Sequence, residues 1–533
     1  MNKKILLLLI IILSIACFFR LWKLNSIPPG LYPDVAMNGT DALSAIKNHD
    51  FKIFYPENNG REGLFINLIG FSFLIFGISI WSIKIVSAII GILTVLGIFL
   101  FTKEIFKLSN FKPNVSDFIA LLSSFFLAIS FWHVNFSRMG FRAIFTPFIL
   151  VFSLYFLFKG LRTKKILDLI IGGAIFGLGF HTYISFRLAV LLLAFLFIIW
   201  LLIYYKEKIL KKFFLFSFFI FISIVIVAIP IGFYFMQHPG DFIGRATGVS
   251  VFSQPNPIKS FVRSFVIHLG MFNFYGDPNW RHNIALSPIF PWPSPLLFWP
   301  IGIAFLIGFV LSIKKSLYFL KNKDYPQLLV YSTILIWLFV MILPSALTYE
   351  GIPHALRSIG AIPPAFILSA IGFVFLYQKI KDFLKVKSKI ALFLGLILCL
   401  SWFSYGEYNR YFVVWGQSPA VKGAFDQGLF DIGNYLNSLP NNVKTYVIVN
   451  ELQYPLYGIS IPGQTPMFIE NTKFGTTRAN YIKAQDLDKI VLGDKNTVII
   501  PIYKNSLFNE LKRKFPEAKI IEKETFVIFE IEK

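Results

Sequence analysis

The chain is poor in cysteine, acid and histidine. Cys17 and Cys399 are the only cysteines in 533 residues, and both lie in apolar runs. A disulfide framework is thereby excluded. Asp and Glu total 28 against 51 Lys and Arg, and charged residues are only 15% of the chain. A soluble domain carries about 25%. The seven histidines show no His/Cys cluster at metal-ligand spacing. No Walker A loop and no G-x-G-x-x-G occurs, so no nucleotide-phosphate cradle is read. Asp486-Leu487-Asp488 spells the D-x-D of nucleotide-sugar transferases, but it lies in a polar tail and reads as ordinary surface. No internal repeat is evident.

What fills the chain instead is apolar. Hydrophobic residues reach 56%, and phenylalanine alone numbers 63. They come in runs near ~20 residues, the length that crosses a bilayer. The fold class expected is an α-helical polytopic membrane protein. The net charge of +23 would point to nucleic acid in a soluble protein. Its placement argues otherwise. Basic clusters at Lys3/Lys4, Lys103–Lys112, Lys159–Lys165, Lys206–Lys212, Lys314–Lys323 and Lys379–Lys389 alternate with the apolar runs. Lys/Arg bias marks such loops as cytoplasmic. The charge is mainly a topology signal, and no nucleic-acid partner is assigned.

Parity then sets about eleven spans: 5–24, 81–101, 115–134, 141–158, 167–186, 188–205, 213–235, 296–313, 326–347, 358–377 and 390–405. The first is expected to be a signal-anchor helix, since no A-x-A site follows Met1-Asn2-Lys3-Lys4 and its apolar run. The N-terminus is expected inside and the C-terminus outside. Gly63 to Ser79 is apolar, but a full span there would invert every later loop. It is placed at the outer interface. Residues 1–405 are read as the membrane domain, with outer loops 25–80 and 236–295. Residues 406–533 are read as a small extracytoplasmic α/β domain, helical over Ala420 to Leu439 and strand-like over Lys444–Val449, Thr497–Ile502 and Phe526–Ile531.

Few acids remain for chemistry outside the cytoplasmic loops and the tail: Asp34, Asp41, Asp50, Glu57, Glu62, Asp241, Asp277 and Glu350. The first five share one outer loop. Asp34 follows a Pro-rich turn and reads either as a helix N-cap or as a general base. Asp41 lies seven residues on, on roughly the same helical face; it faces water or supports Asp34. Arg61-Glu62 is a solvated helix start or a substrate contact. Arg138, Arg142, Arg187 and Arg357 sit at outer mouths of spans. Guanidinium groups there suit a phosphate, or snorkel to lipid headgroups.

Certain motifs resemble a known family. They are Pro28-Pro29-Gly30-Leu31-Tyr32-Pro33-Asp34 with Asn38 and Asp41-Ala42-Leu43; Gly60-Arg61-Glu62-Gly63-Leu64-Phe65-Ile66; Phe131-Trp132-His133-Val134-Asn135-Phe136-Ser137-Arg138 through Phe141-Arg142; and Pro353-His354-Ala355-Leu356-Arg357-Ser358-Ile359-Gly360. Together, over roughly residues 5–405, they are similar to GT-C type membrane glycosyltransferases. The likeness falls in the bacterial branch of the protein-mannosyltransferase and aminoarabinose-transferase superfamily. The resemblance implies a sugar donor on polyprenyl phosphate, an acceptor hydroxyl on glycan, lipid or protein, and catalysis at the outer face of the plasma membrane. It implies Asp34 as the catalytic base. Arg138, Arg142 or Arg357 would meet the leaving phosphate, and Tyr32, Asp41, Arg61, Glu62, His133, His181 and His354 would contact substrate. The family's usual Asp-Glu pair is Asp34-Val35 here, so the neighbouring carboxylate is missing. No metal ligand and no cofactor is assigned; a divalent cation stays open. The alternatives are a transporter or exporter of lipid-linked glycan, and a glycan ligase or polymerase.

The orientation has a direct test. Alkaline phosphatase fused after residue 533 is expected to be active, and fused within 206–212 inactive. The reverse pattern would overturn it.

Overall fold

The computed structural model describes residues 2–108, 111–289, 291–384, 388–450, 455–456, 459–492 and 496–532. Lys385 and Lys387, counted above in a basic cluster, lie outside them. Among the described residues, nine helices are long and apolar enough to cross a membrane. They are Lys3–Leu21, Ile80–Leu108, Arg142–Thr163, Ile184–Lys206, Leu210–Gln237, Trp299–Lys321, Tyr325–Ala346, Ile359–Phe383 and Ile390–Trp415. Pro113–Ile129 and Phe131–Arg138 make a tenth if taken together, bent by 55°. The polytopic helical fold class is therefore as expected.

One of the eleven expected spans is not among these long helices. The run expected to cross at 167–186 is a shorter apolar helix, Ile166–His181. It tightens into a single 3-10 turn at Gly179–His181. An added Cβ on Gly179 would lie 2.2 Å from the Phe186 ring, so the turn closes against the segment that follows. The bend of the third span has a similarly local origin. Ser130 is extended (φ −55°, ψ 123°) and its hydroxyl accepts from the His133 backbone N–H, which restarts the helix. The apolar run Gly63 to Ser79 forms a shorter apolar helix, Gly63–Phe76.

The chain forms two compact units. One comprises Met1–Trp22 and Ser87–Trp415; the other comprises Lys23–Val86 and Gly416–Lys533. This division runs across the one read from the sequence, which kept loop 25–80 with the spans. The reason is packing within the second unit. Thr465 Oγ1 donates to Leu31 O (3.0 Å), Lys47 Nζ donates to Gly475 O (2.7 Å), and an added Cβ on Gly39 would strike Phe468.

In the first unit, small residues let helices touch. A Cβ on Gly308 would fall 1.8 Å from Leu368 O, and one on Gly372 1.9 Å from Ala304 O. Helices Trp299–Lys321 and Ile362–Phe383 therefore meet backbone to backbone.

In the second unit, the tail is a five-stranded sheet. Its strands are β1 (Lys444–Val449), β2 (Asn480–Lys483), β3 (Thr497–Pro501), β4 (Lys519–Glu522) and β5 (Val527–Ile531). The order is β2-β1-β3-β5-β4. The first three strands are parallel; β5 is antiparallel to both neighbours. Burial on both faces explains the run of apolar residues in β1 and β3. The expected strands fall where the sequence placed them. The expected single helix is divided into Pro419–Ala424 and Gln427–Ser438, with Asp426 left-handed between them (φ 50°).

Candidate functional site

In the second unit, Asp34 stands on the first turn of the helix Pro33–Asn48. Pro33 opens that helix and Tyr32 is its N-cap residue, so Asp34 is not the cap. Its carboxylate is half-buried and accepts from Asn58 Nδ2 (3.0 Å). Behind the turn, the Lys84 ammonium is buried and donates to Pro28 O (3.0 Å).

The loop is fixed by Arg61. Its guanidinium pairs with Asp41 Oδ2 (2.6 Å), donates to Asn38 Oδ1 (2.9 Å), and reaches Glu57 O from Nε (3.3 Å). Arg61 and Asp41 are 1% and 2% exposed, so the pair is shielded from water on every side. Burial pushes the Asp41 carboxyl above its ordinary value, against the pull of Arg61. Asp41 therefore neither faces water nor contacts Asp34. Glu62 is also buried and is the N-cap residue of the helix Gly63–Phe76. The solvated reading of Arg61-Glu62 does not hold. Tyr32 is half-buried beside Pro33.

The first unit holds the other candidates. Arg138 is fully buried and donates to Phe19 O (2.9 Å) and Trp22 O (2.6 Å), with its guanidinium over the Phe412 ring. These carbonyls close the C-terminal end of the helix Lys3–Leu21. Arg20 plays the same part at the bent span. It donates to Ala128 O (2.8 Å) and Leu127 O (3.2 Å), and contacts His133 Nδ1 (2.7 Å). Both arginines are committed to helix ends, and His133 is buried behind them. Arg142 is half-buried with its guanidinium over the Tyr183 ring. His181 Nε2 contacts Val227 O (2.9 Å). Arg187 stacks on Phe242 and donates to its carbonyl.

A denser group surrounds His354. His354 N donates to His268 Nε2 (3.1 Å), and Ser345 Oγ also contacts that nitrogen. Asp277 Oδ2 accepts from Ala355 N (2.7 Å) and from His282 Nδ1 (2.9 Å). Arg357 donates to Thr348 Oγ1 (2.9 Å). Burial, with His282 and Arg357 adding to it, holds the His354 imidazole well below its ordinary pKa. Burial holds His268 down at about 4. Neutral imidazoles are the form that ligates metal. Ligand atoms of Asp277, His282 and His354 lie within 4.8 Å of one another, and one carboxylate with two imidazoles is a donor set that suits a divalent cation. Sequence reading missed His282 and His268, and left Asp277 only as one of the eight remaining acids. The only signal was the density of polar residues in Asp277-Pro278-Asn279-Trp280-Arg281-His282-Asn283.

Residues 64–233, roughly a third of the chain, match the family described as dolichyl-phosphate-mannose-protein mannosyltransferase. Among solved structures, the chain is similar to ArnT from Cupriavidus metallidurans. The TM-score is 0.56 at 10% identity, over 99% of this chain and 97% of that one. ArnT matches to the same extent in its undecaprenyl-phosphate-bound and apo states. No curated protein sequence matches the chain. The structural likeness establishes the fold alone, and the family match is confined to residues 64–233.

The Arg61–Asp41 pair yields a stability test. Arg61→Met strands a buried carboxylate and is expected to cost about 3–5 kcal/mol. Thermal unfolding in detergent should show the loss, with Arg61→Met/Asp41→Leu recovering most of it. Equal midpoints for wild type and Arg61→Met would contradict the assignment.

Proposed function

We propose that this chain is an integral membrane glycosyltransferase. It moves a sugar from a polyprenyl-phosphate donor to an acceptor hydroxyl at the outer face of the plasma membrane, with inversion. The observation that carries the reading is the half-buried Asp34 carboxylate. It is aimed by Asn58 from a loop locked by a buried ion pair, in a fold shared with a protein solved holding undecaprenyl phosphate.

In this reading, Asp34 accepts the proton of the acceptor hydroxyl as its oxygen bonds to the anomeric carbon. The bond from that carbon to the phosphate oxygen breaks, and polyprenyl phosphate leaves with the electron pair. Attack from the face opposite the phosphate inverts the anomeric centre. Phosphate is a good leaving group, so no general acid is required. Arg142 and Arg357 are the cations assigned to its growing charge. Arg138 is not, because it is fully buried and holds the carbonyls of Phe19 and Trp22. In the second unit, Glu62 and Tyr32 are kept as candidate substrate contacts and Asp41 and Arg61 hold the loop; in the first unit, His181 is kept as a candidate contact and His133 belongs to the helix framework with Arg20. The lone carboxylate of Asp34-Val35 suits base catalysis without a shared metal at that position. A divalent cation at Asp277, His282 and His354 would supply Lewis acidity to a phosphate oxygen.

The test is sugar release from polyprenyl-phosphate-sugar by wild type and Asp34→Asn. The variant is expected to lose at least about 100-fold in turnover. Equal turnover would remove Asp34 as base. Absence of turnover with any such donor, from folded wild type, would favour the transporter reading.

A further inference from the structure

Within the second unit, the tail domain has a polar cleft that the proposed chemistry does not use. Its volume is about 540 Å³, within the range of small-ligand sites. Its lining includes Asp426, Gln427, Asp431, Tyr503, Glu524 and Thr525.

The cleft lies at the carboxyl end of β3, beside the β4–β5 turn. From β1 the chain proceeds to β2 on one side, while β3 pairs on the other. Asn450 follows β1 and Tyr503 follows β3, and they bridge this end of the sheet. Asn450 Nδ2 donates to Tyr503 O (2.8 Å), and Tyr503 N donates to Asn450 Oδ1 (3.0 Å). The β4–β5 turn brings Glu524 and Thr525 to the same end, since β5 runs antiparallel to β3.

The wall is built rather than incidental. Asp431 Oδ1 accepts from Gln427 Nε2 (2.8 Å) and Oδ2 accepts from Thr525 Oγ1 (2.9 Å). These bonds tie the helix Gln427–Ser438 to the turn and aim the carboxylate, whose oxygens keep further lone pairs. The cleft is also joined to the loop that carries Asp34. Gly30, left-handed at φ 63°, presses so close that an added Cβ would lie 2.8 Å from Phe425 O and 3.3 Å from Gln427 Cα. The turn four residues before Asp34 thus rests on the rim.

The chemistry selects the occupant. The lining has three carboxylates, Asp426, Asp431 and Glu524, against one ammonium, Lys422. Such a field opposes the anionic donor phosphate. Carboxylates and an amide accept from and donate to neighbouring hydroxyls, and the exposed Tyr503 ring offers a stacking face. We infer that this cleft binds a neutral glycan as the acceptor, presenting one end toward the Asp34 loop. The inference rests on the glycosyltransferase reading for the word acceptor, but glycan binding itself does not.

The full chain in lipid nanodiscs is probed by saturation-transfer NMR with maltotriose, cellotriose and mannotriose, without donor. At least one trisaccharide is expected to receive saturation. Tyr503→Ala and Glu524→Gln, exposed positions that should leave the thermal midpoint unchanged, are each expected to weaken binding at least fivefold. With donor present, they should raise the acceptor KM similarly and leave sugar release to water unchanged. No transfer to any of the three sugars would overturn the cleft assignment, as would equal binding by wild type and both variants. Glycan binding that persists in a protein unable to turn over any donor would sink the catalytic reading alone.

Discussion

The second unit depends on one buried ion pair. Arg61 and Asp41 face each other at 2.6 Å, almost without exposure. Taking two charges out of water is costly, and hydrophobic residues of like volume would often be more stable. What the pair supplies is geometry. Arg61 spends its fork on three partners from two stretches of the loop: Asp41 and Asn38 on the helix, and Glu57 O before the turn. Once Arg61 is seated, Asn58 is held near the first turn of that helix, where it reaches Asp34. A polar loop outside the spans thereby presents a fixed carboxylate.

Charge in the first unit is used differently. Arg20 and Arg138 lie fully buried in apolar surroundings, with backbone carbonyls as partners. A broken or terminated helix leaves carbonyls that lipid cannot satisfy. A guanidinium has five donors and meets several at once. The bent third span is possible because Arg20 takes up the carbonyls of Leu127 and Ala128. These arginines are part of the scaffold, which narrows the cations left for a phosphate.

Much of the fold was legible because its signals are local. Apolar runs and basic loops mark the spans, and β-branched runs mark β1, β3 and β5. The shortened helix at Ile166–His181 was not, since hydropathy does not register a turn closed by Gly179 against Phe186. In the site, Asp34 stood out as an acid after a proline turn. The role of Arg138 did not, because its carbonyls lie 119 and 116 residues away. The same holds for His354, which meets Asp277 and His282 only through folding. Likewise, composition joins loop 25–80 to the spans it interrupts, whereas Thr465 and Phe468 tie it to the tail.

The central claim is that a polyprenyl-phosphate sugar is consumed. The most direct measurement is mass spectrometry of the lipid extract from cells lacking the protein. The account predicts accumulation of one polyprenyl-phosphate-linked sugar, reversed by restoring the wild-type chain. A lipid-linked sugar pool unchanged by the deletion would contradict it.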